Sequence, residues 1–299
     1  MLPDETKHGL FVGLTTLDLI YLTEQPPVAN QKLVASDYTL SAGGPATNAA
    51  IAFAHLGNPT TLLSAFGTHP MTHLLLADLE QYGVRSIDLA PTRREPPAVS
   101  SIMVTQATGE RAVISMNAVN TQVSADAIPF DCLQAVDVVL IDGHQMQVGQ
   151  TIAQQAKSLG IPVVIDAGSW KPGFVDVLSR ADYVICSANF HPPNCQHEAD
   201  TLDYLLQLGI PHLAITHGEQ PVYYWNQGKT GLVEVPQIRA IDTLGAGDIF
   251  HGAFCHAILR EDFVAALAMA AGVASRSCQF FGTRRWMTEG KSVQANVGN

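Results

Sequence analysis

The run Ile241-Asp242-Thr243-Leu244-Gly245-Ala246-Gly247-Asp248 sets three small residues and a carboxylate directly before a helix-patterned segment, Ile249 to Leu259. Small residues at 245–247 let the backbone turn tightly and approach a ligand closely. Amides at a helix N-terminus lack intrahelical partners and lie at the positive end of the macrodipole, so they suit an anion. A phosphate fits there, and so does the charge that develops on a phosphoryl group during transfer. Asp248 would then flank an anion hole, a costly place for a carboxylate unless it accepts the proton of an attacking hydroxyl. The plainer alternative is that Asp248 complements the helix dipole and the small residues only shape a turn. An ordinary carboxylate with a pKa of about 4 would suffice as base.

Two more segments offer chemistry for neutral hydroxyls. In Ser41-Ala42-Gly43-Gly44-Pro45-Ala46-Thr47-Asn48, Pro45 suits a first helical position, and Gly43 and Gly44 again permit close backbone approach. The Asn48 amide can both donate and accept. A solvated Asn48 beside an ordinary strand-to-helix turn is the alternative. In Gly13-Leu14-Thr15-Thr16-Leu17-Asp18, the aspartate falls just past the first strand, where an α/β sheet keeps its ligands and its carboxylate could accept two hydroxyl hydrogens; a surface aspartate in a loop is the plainer alternative. Asp166, ending the strand Val163-Val164-Ile165, and Lys171 are weaker candidates, whose place near a transferred phosphate rests on a family resemblance alone.

The elements that must carry these residues follow from the apolar pattern. Leu10 to Leu14, Val136 to Ile141, Pro162 to Ile165, Tyr183 to Cys186 and His212 to Thr216 are short continuous apolar runs, as expected for strands covered on both faces. Helical patterns such as Val148 to Leu159 and Thr201 to Leu208 separate them, with Gly160 and Gly209 as plausible C-terminal caps. The expected fold is α/β: a doubly wound, mostly parallel central sheet flanked by helices, with ligands at the carboxyl ends of its strands. Lys32 to Leu40, and the pair Val99 to Thr105 and Arg111 to Met116 joined by a turn at Ala107-Thr108-Gly109-Glu110, break that rhythm. They read as a small inserted β-lid, about 14–42 and 97–119, in a single domain spanning 1–299. Arg111 in this lid could meet an anionic substituent on a substrate.

A chain of 299 residues, 47% hydrophobic and 14% charged, can bury a large core. A net charge of −11 argues against nucleic acid and gives ATP no long-range attraction, so an anion must be held by local amides. The five cysteines show no metal spacing and read as free thiols of a reducing cytoplasm. Met1 to Gly9 lacks the apolar core of a secretion leader, and the longest apolar stretch, Phe263 to Ala274, is too short to cross a membrane.

Taken together, the three segments resemble the ribokinase-like, or PfkB, carbohydrate kinases, from Phe11 to about Gly282. Gly43-Gly44 to Asn48 looks like the family's N-terminal signature, and Asp242 to Asp248 with Gly252-Ala253 looks like its C-terminal one. The resemblance implies that Asp248 is the proton acceptor and that Gly245, Ala246 and Gly247 form the anion hole. Asp18, Gly43, Gly44 and Asn48 would hold sugar hydroxyls. Thr216-His217-Gly218 would lie beside the nucleotide, together with Asp242, Thr243 and Gly247, and the stretch to Gly282 would line the adenine pocket. Implied cofactors are ATP and Mg²⁺, with a monovalent cation such as K⁺ a further candidate. The lid strands match a region that often mediates homodimers. The wording looks closest to ketose kinases, the ketohexokinase and sulfofructose kinase branch, so a primary hydroxyl of a ketose such as fructose is the expected acceptor; nucleoside kinases fit less well.

Two departures stand out. The family's Asn followed three residues later by Glu is missing in Ser187-Ala188-Asn189-Phe190-His191-Pro192, and Pro221 replaces the last glycine of the strand-end turn. The first departure leaves open a binding or scaffold protein that kept the fold. A dinucleotide-dependent oxidoreductase is disfavoured, because Gly13 is not followed by a Gly-x-Gly-x-x-Gly turn.

Overall fold

The computed structural model describes residues 6–30, 32–116 and 122–289. In chain order its early strands are β1 (Gly9–Val12), β2 (Thr16–Thr23), β3 (Asp37–Gly43), β4 (Thr60–Ser64), β5 (Val84–Asp88), β6 (Ala98–Thr105) and β7 (Arg111–Ser115). The later ones are β8 (Val138–Ile141), β9 (Val163–Ala167), β10 (Tyr183–Ser187), β11 (His212–His217), β12 (Gln220–Asn226) and β13 (Lys229–Val233). The α-helices among the described residues are α1 (Pro45–His55), α2 (Thr72–Gln81), α3 (Met146–Leu159), α4 (Phe174–Leu178), α5 (Glu198–Gln207), α6 (Ala246–Ile258) and α7 (Phe263–Ser277).

The central sheet runs β13-β12-β11-β10-β9-β8-β1-β4-β5, parallel from β11 to β5, with β12 and β13 as an antiparallel edge. Successive residues of β1 feed different cores. Phe11 joins a cluster with Phe53 and Phe254 under α1, α6 and α7, whereas Leu10 and Val12 join one with Phe174 and Phe190 under α3 and α4. That alternation explains why the central strands read as unbroken apolar runs: both faces are covered. Gly160 caps α3 in the left-handed conformation, as its position suggested.

A second sheet, β3-β2-β6-β7, forms the lid. The expected strand from Lys32 does not form at its start. Residues 32–36 are irregular, and β3 instead runs from Asp37 to Gly43. The partner strand sets these limits, because β2 pairs with β3 only from Thr16↔Gly43 to Leu22↔Asp37. The hairpin of β6 and β7 matches the reading closely; lid positions 117–119 and the first five residues lie outside the described residues. All five cysteines are free thiols, four of them buried, and burial pushes Cys186 and Cys255 further from the reactive thiolate. Among the described residues no helix is long and apolar enough to cross a membrane.

Candidate active site

Close packing of α1 on α6 creates the site. A Cβ added at Gly252 would come within 2.2 Å of the Ala49 carbonyl oxygen, so the two helices approach at a distance only glycine permits. One residue earlier in α1 and one turn earlier in α6, the Asn48 Nδ2 donates to Asp248 Oδ2 at 2.8 Å. Asn48 is therefore buried, not solvated.

Helix α6 begins at Ala246, three residues before the apolar pattern, because Gly245 takes the left-handed N-cap conformation at φ 70°. Its first-turn amides have no preceding turn to bond to, although the Ala246 N–H makes a long contact, 3.4 Å, with the Thr243 carbonyl. A Cβ at Gly247 would meet no protein atom within 4 Å, so that glycine leaves its backbone open to the cleft.

Asp248 does not behave as an ordinary carboxylate. Desolvation, then repulsion by Asp166, pushes its pKa up to about 6, against the Asn48 hydrogen bond and the His251 and Arg111 charges. Asp166 is buried at the end of β9, with its Oδ2 3.6 Å from His251 Nδ1. The His251 ring is fixed between Nδ1, 2.7 Å from the Gly247 carbonyl oxygen, and Nε2, 3.2 Å from that of Ile185 in β10. This ring ties the first turn of α6 to the central sheet.

Asp18 is not in a loop: it is the third residue of β2 and is buried in the lid sheet. Desolvation raises its pKa, opposed by hydrogen bonds from the Thr16 and Ser100 hydroxyls and by the Arg284 charge; the Thr16 Oγ1 donates to Asp18 Oδ1 at 2.7 Å. A Cβ at Gly43 would fall 1.8 Å from Asp18 Oδ2, so this glycine makes room for the carboxylate. Gly44 is the N-cap of α1 at φ 97°, and Pro45 takes the first helical position.

Beneath these turns lies Asp142, at the end of β8. Its Oδ2 accepts from the Leu14 N–H at 2.8 Å and the Ala46 N–H at 3.1 Å, and its Oδ1 from the His144 N–H at 2.9 Å. Desolvation would raise its pKa, but the neighbouring His144 ring and these donors override it and hold the carboxyl at about 2.

The lid sheet contacts the turn before α6. Arg111 Nη1 donates to the Thr243 carbonyl at 3.1 Å and to its hydroxyl at 3.0 Å, so the lid arginine is engaged on that turn. Asp242 is buried and clasps the turn, accepting from the Leu244 N–H at 2.9 Å and the Gly282 N–H at 2.8 Å. Gly282 faces lid residue Thr39, 3.0 Å from where its Cβ would stand.

Farther along the sheet edge, the Thr216 hydroxyl donates to the Cys186 carbonyl, and Gly218 forms an open turn at φ 65°. Pro221 is accommodated next to a register shift between Ile215 and His217. Asn189 is exposed, whereas Glu198, the first residue of α5, pairs with the His217 ring at 2.5 Å. Lys171 Nζ reaches the Asp142 carbonyl at 3.4 Å. The structure thus gathers Asn48, Asp166, Asp248, Gly245, Thr243 and Arg111, with Asp18 and Gly43 alongside; Thr216 and Gly218 stand apart.

Three residues of the site escaped the sequence reading. Asp142 carried a usable signal, an aspartate ending an apolar strand. His251 carried a weaker one, lying one helical turn from Gly247 and Asp248. Arg284 carried none, since its partners are 236 and 206 residues away.

A carboxylate in the first turn of a helix capped by a left-handed glycine, a place that suits an anion, with a second buried carboxylate in the lid sheet, is an arrangement able to move a phosphoryl group onto an alcohol. The family model described as pfkB family carbohydrate kinase matches residues 7–289. The chain belongs to that family and is a sugar kinase. It is 25% identical over 287 residues to a ribokinase of Bacillus subtilis (strain 168), covering 95% of this chain and 97% of the relative. It is 24% identical over 292 residues to a deoxyribokinase of Salmonella typhi, covering 91% and 93%. Its fold matches that of Arabidopsis thaliana ribokinase complexed with ribose and ATP, with a TM-score of 0.74, 22% identity and coverage of 98% and 99%.

Proposed function

We propose that the protein transfers the γ-phosphoryl group of ATP to a primary hydroxyl of a sugar, with Asp248 as the base. The carrying observation is that the Asp248 carboxylate, oriented by Asn48, stands beside the α6 N-terminal turn with its pKa pushed up to about 6. The sugar oxygen forms the new P–O bond, the bond from γ-phosphorus to the bridging oxygen breaks, ADP leaves, and the hydroxyl proton passes to Asp248. The amides of Gly245, Ala246 and Gly247 face the charge that spreads over the phosphoryl oxygens. Asp18, Gly43, Gly44 and Asn48 orient the sugar. Thr216, Gly218, Thr243 and Gly282 belong to the nucleotide side, with Asp242 holding the turn between them.

Mg²⁺ fits this donor set as a largely hydrated ion. Asp166 would hold it through water, and when bound it would neutralise charge on the phosphates. A monovalent cation such as K⁺ is part of the proposal, as are a cytoplasmic location and a homodimer through the lid. The exposed lid residues Tyr38, Val113 and Ile114 support the dimer, and light scattering tests it.

For the acceptor we propose a ketose such as fructose, on the wording of the Asp242 to Gly252 segment. A pentose is the second reading, favoured by the ribokinase and deoxyribokinase relatives. Coupled ADP release with D-fructose, D-ribose, 2-deoxy-D-ribose and nucleosides decides between them. ATP binding without any sugar-stimulated turnover would overturn the kinase reading and leave a non-catalytic binding protein.

A further inference from the structure

Arg284 follows Gly282 and Thr283 in the segment that runs back along the lid after α7, and it is buried. That segment touches β3 at three points: Arg285 pairs with Asp37 at 2.7 Å, Gly282 faces Thr39, and the Arg284 Nη2 donates to the Ala42 carbonyl. A buried guanidinium is costly unless its donors are matched. Arg284 Nη2 also reaches Asp78 Oδ2 of α2 at 3.3 Å, and the cation stacks 5.4 Å from the centre of the Tyr82 ring. Its Nε, however, has no hydrogen-bond partner among the described residues. The group is thus oriented by what its two terminal nitrogens must hold.

One of those nitrogens holds the catalytic amide. Arg284 Nη1 donates to Asn48 Oδ1 at 2.9 Å, while Asn48 Nδ2 donates to Asp248 Oδ2 at 2.8 Å. A guanidinium only donates and a carboxylate only accepts. Turning the amide over would set oxygen against oxygen at Asp248 and NH₂ against a cation at Arg284. Arg284 therefore fixes which end of Asn48 meets the base. It also occupies one of the two acceptor positions of the Asn48 carbonyl oxygen that the sequence had offered to a sugar hydroxyl.

We propose that Arg284 is a positioning residue for phosphoryl transfer, acting through Asn48 to hold the Asp248 carboxylate in its productive direction. This rests on the kinase reading and on Asp248 as base. The chain Asp78–Arg284–Asn48–Asp248 links α2, the segment after α7, α1 and α6, so the base takes its aim from three elements besides its own. Misplacement of a reacting group by about 1 Å can cost about 100-fold in rate, which makes such a tether worth building.

The test is a double-mutant cycle on kcat, using the sugar that gives the fastest ADP release. Arg284→Lys keeps the charge and removes the fork; it is expected to lower kcat by about 10- to 100-fold, with the KM for ATP within about twofold. Asn48→Ala and Asn48→Ala/Arg284→Lys are expected to give the same kcat, because a residue acting only through Asn48 has nothing left to act on. The acidic limb of the kcat–pH profile should move to higher pH in Arg284→Lys. The Asn48 bond that favours the ionised base is loosened there, while Asp166, His251 and Arg111, the other charged groups facing Asp248, are unchanged. Thermal unfolding confirms that the variants are folded at the assay temperature, and Arg284→Gln replaces Arg284→Lys should the latter unfold. Multiplying losses, or an unmoved acidic limb in a folded variant, would overturn the role of Arg284. Wild-type turnover in Asp248→Asn would instead overturn the base assignment, and this inference with it.

Discussion

Asn48 and Asp248, 200 residues apart in the chain, are joined by a 2.8 Å hydrogen bond across the crossing of α1 and α6. That bond couples the turn after the lid strand β3 to the first turn of α6, so the two glycine-bearing turns share one framework.

Asp248→Asn removes the base while keeping the shape. Turnover is expected to fall by roughly 10²–10⁴-fold. The unfolding temperature should hold or rise, since a desolvated carboxylate beside Asp166 becomes neutral. Steady-state ADP release and thermal unfolding on the same preparation check both.

The raised pKa gives opposite signs for activity and stability. Activity needs the ionised base, so kcat climbs as pH rises through about 6. Stability follows the protonated form: the contribution of Asp248 is full below its unfolded value of 3.8 and lost as pH rises through about 6. Urea midpoints of wild type and Asp248→Asn at pH 4, 5 and 7 should therefore shift in favour of the variant toward neutral pH.

Asp142→Asn tests the clamp beneath the sugar-side turns. Loss of a buried carboxylate that accepts from Leu14, Ala46 and His144 should cost about 3 kcal/mol at neutral pH. The folded pKa lies below the unfolded one, so this stability is present above 3.8 and disappears as pH falls through about 2. Denaturant midpoints for the two proteins should converge at the acid end.

Gly252→Ala probes the helix crossing. Its Cβ would stand 2.2 Å from the Ala49 carbonyl oxygen, forcing α1 from α6. The expected cost is about 1–3 kcal/mol of stability. A fall in kcat of about 100-fold should accompany it as Asn48 and Asp248 part. Comparing folded fraction with turnover separates the two effects.

Asp18→Asn should act on the sugar alone. Charge-assisted hydrogen bonds are worth about 1.5–3 kcal/mol, so the KM for sugar should rise about 10- to 100-fold. The KM for ATP should stay unchanged, and initial-rate kinetics in both substrates decide it.

Local chemistry was enough to read the turn from Gly245 to Asp248 into α6, the Gly43-Gly44 turn into α1 and the covered parallel strands. Each depends on neighbours in the chain: small residues free the backbone, a helix start exposes amides, and burial on both faces makes an apolar run. The same locality left open a surface-loop Asp18, because the strand that holds it forms only by pairing with β3 and β6, and it misjudged where β3 begins for the same reason.

The acidity of Asp248, the partner of Asn48 and the roles of Asp142, His251 and Arg284 were decided by the tertiary structure alone. Desolvation and charge repulsion depend on what surrounds a carboxylate, and here Asp166 arrives from a strand end 82 positions earlier. The sequence carries the turn chemistry because backbone conformation is settled within a few residues. The direction in which Asp248 points is set by groups that only the packing of α1, α6 and the segment after α7 brings together.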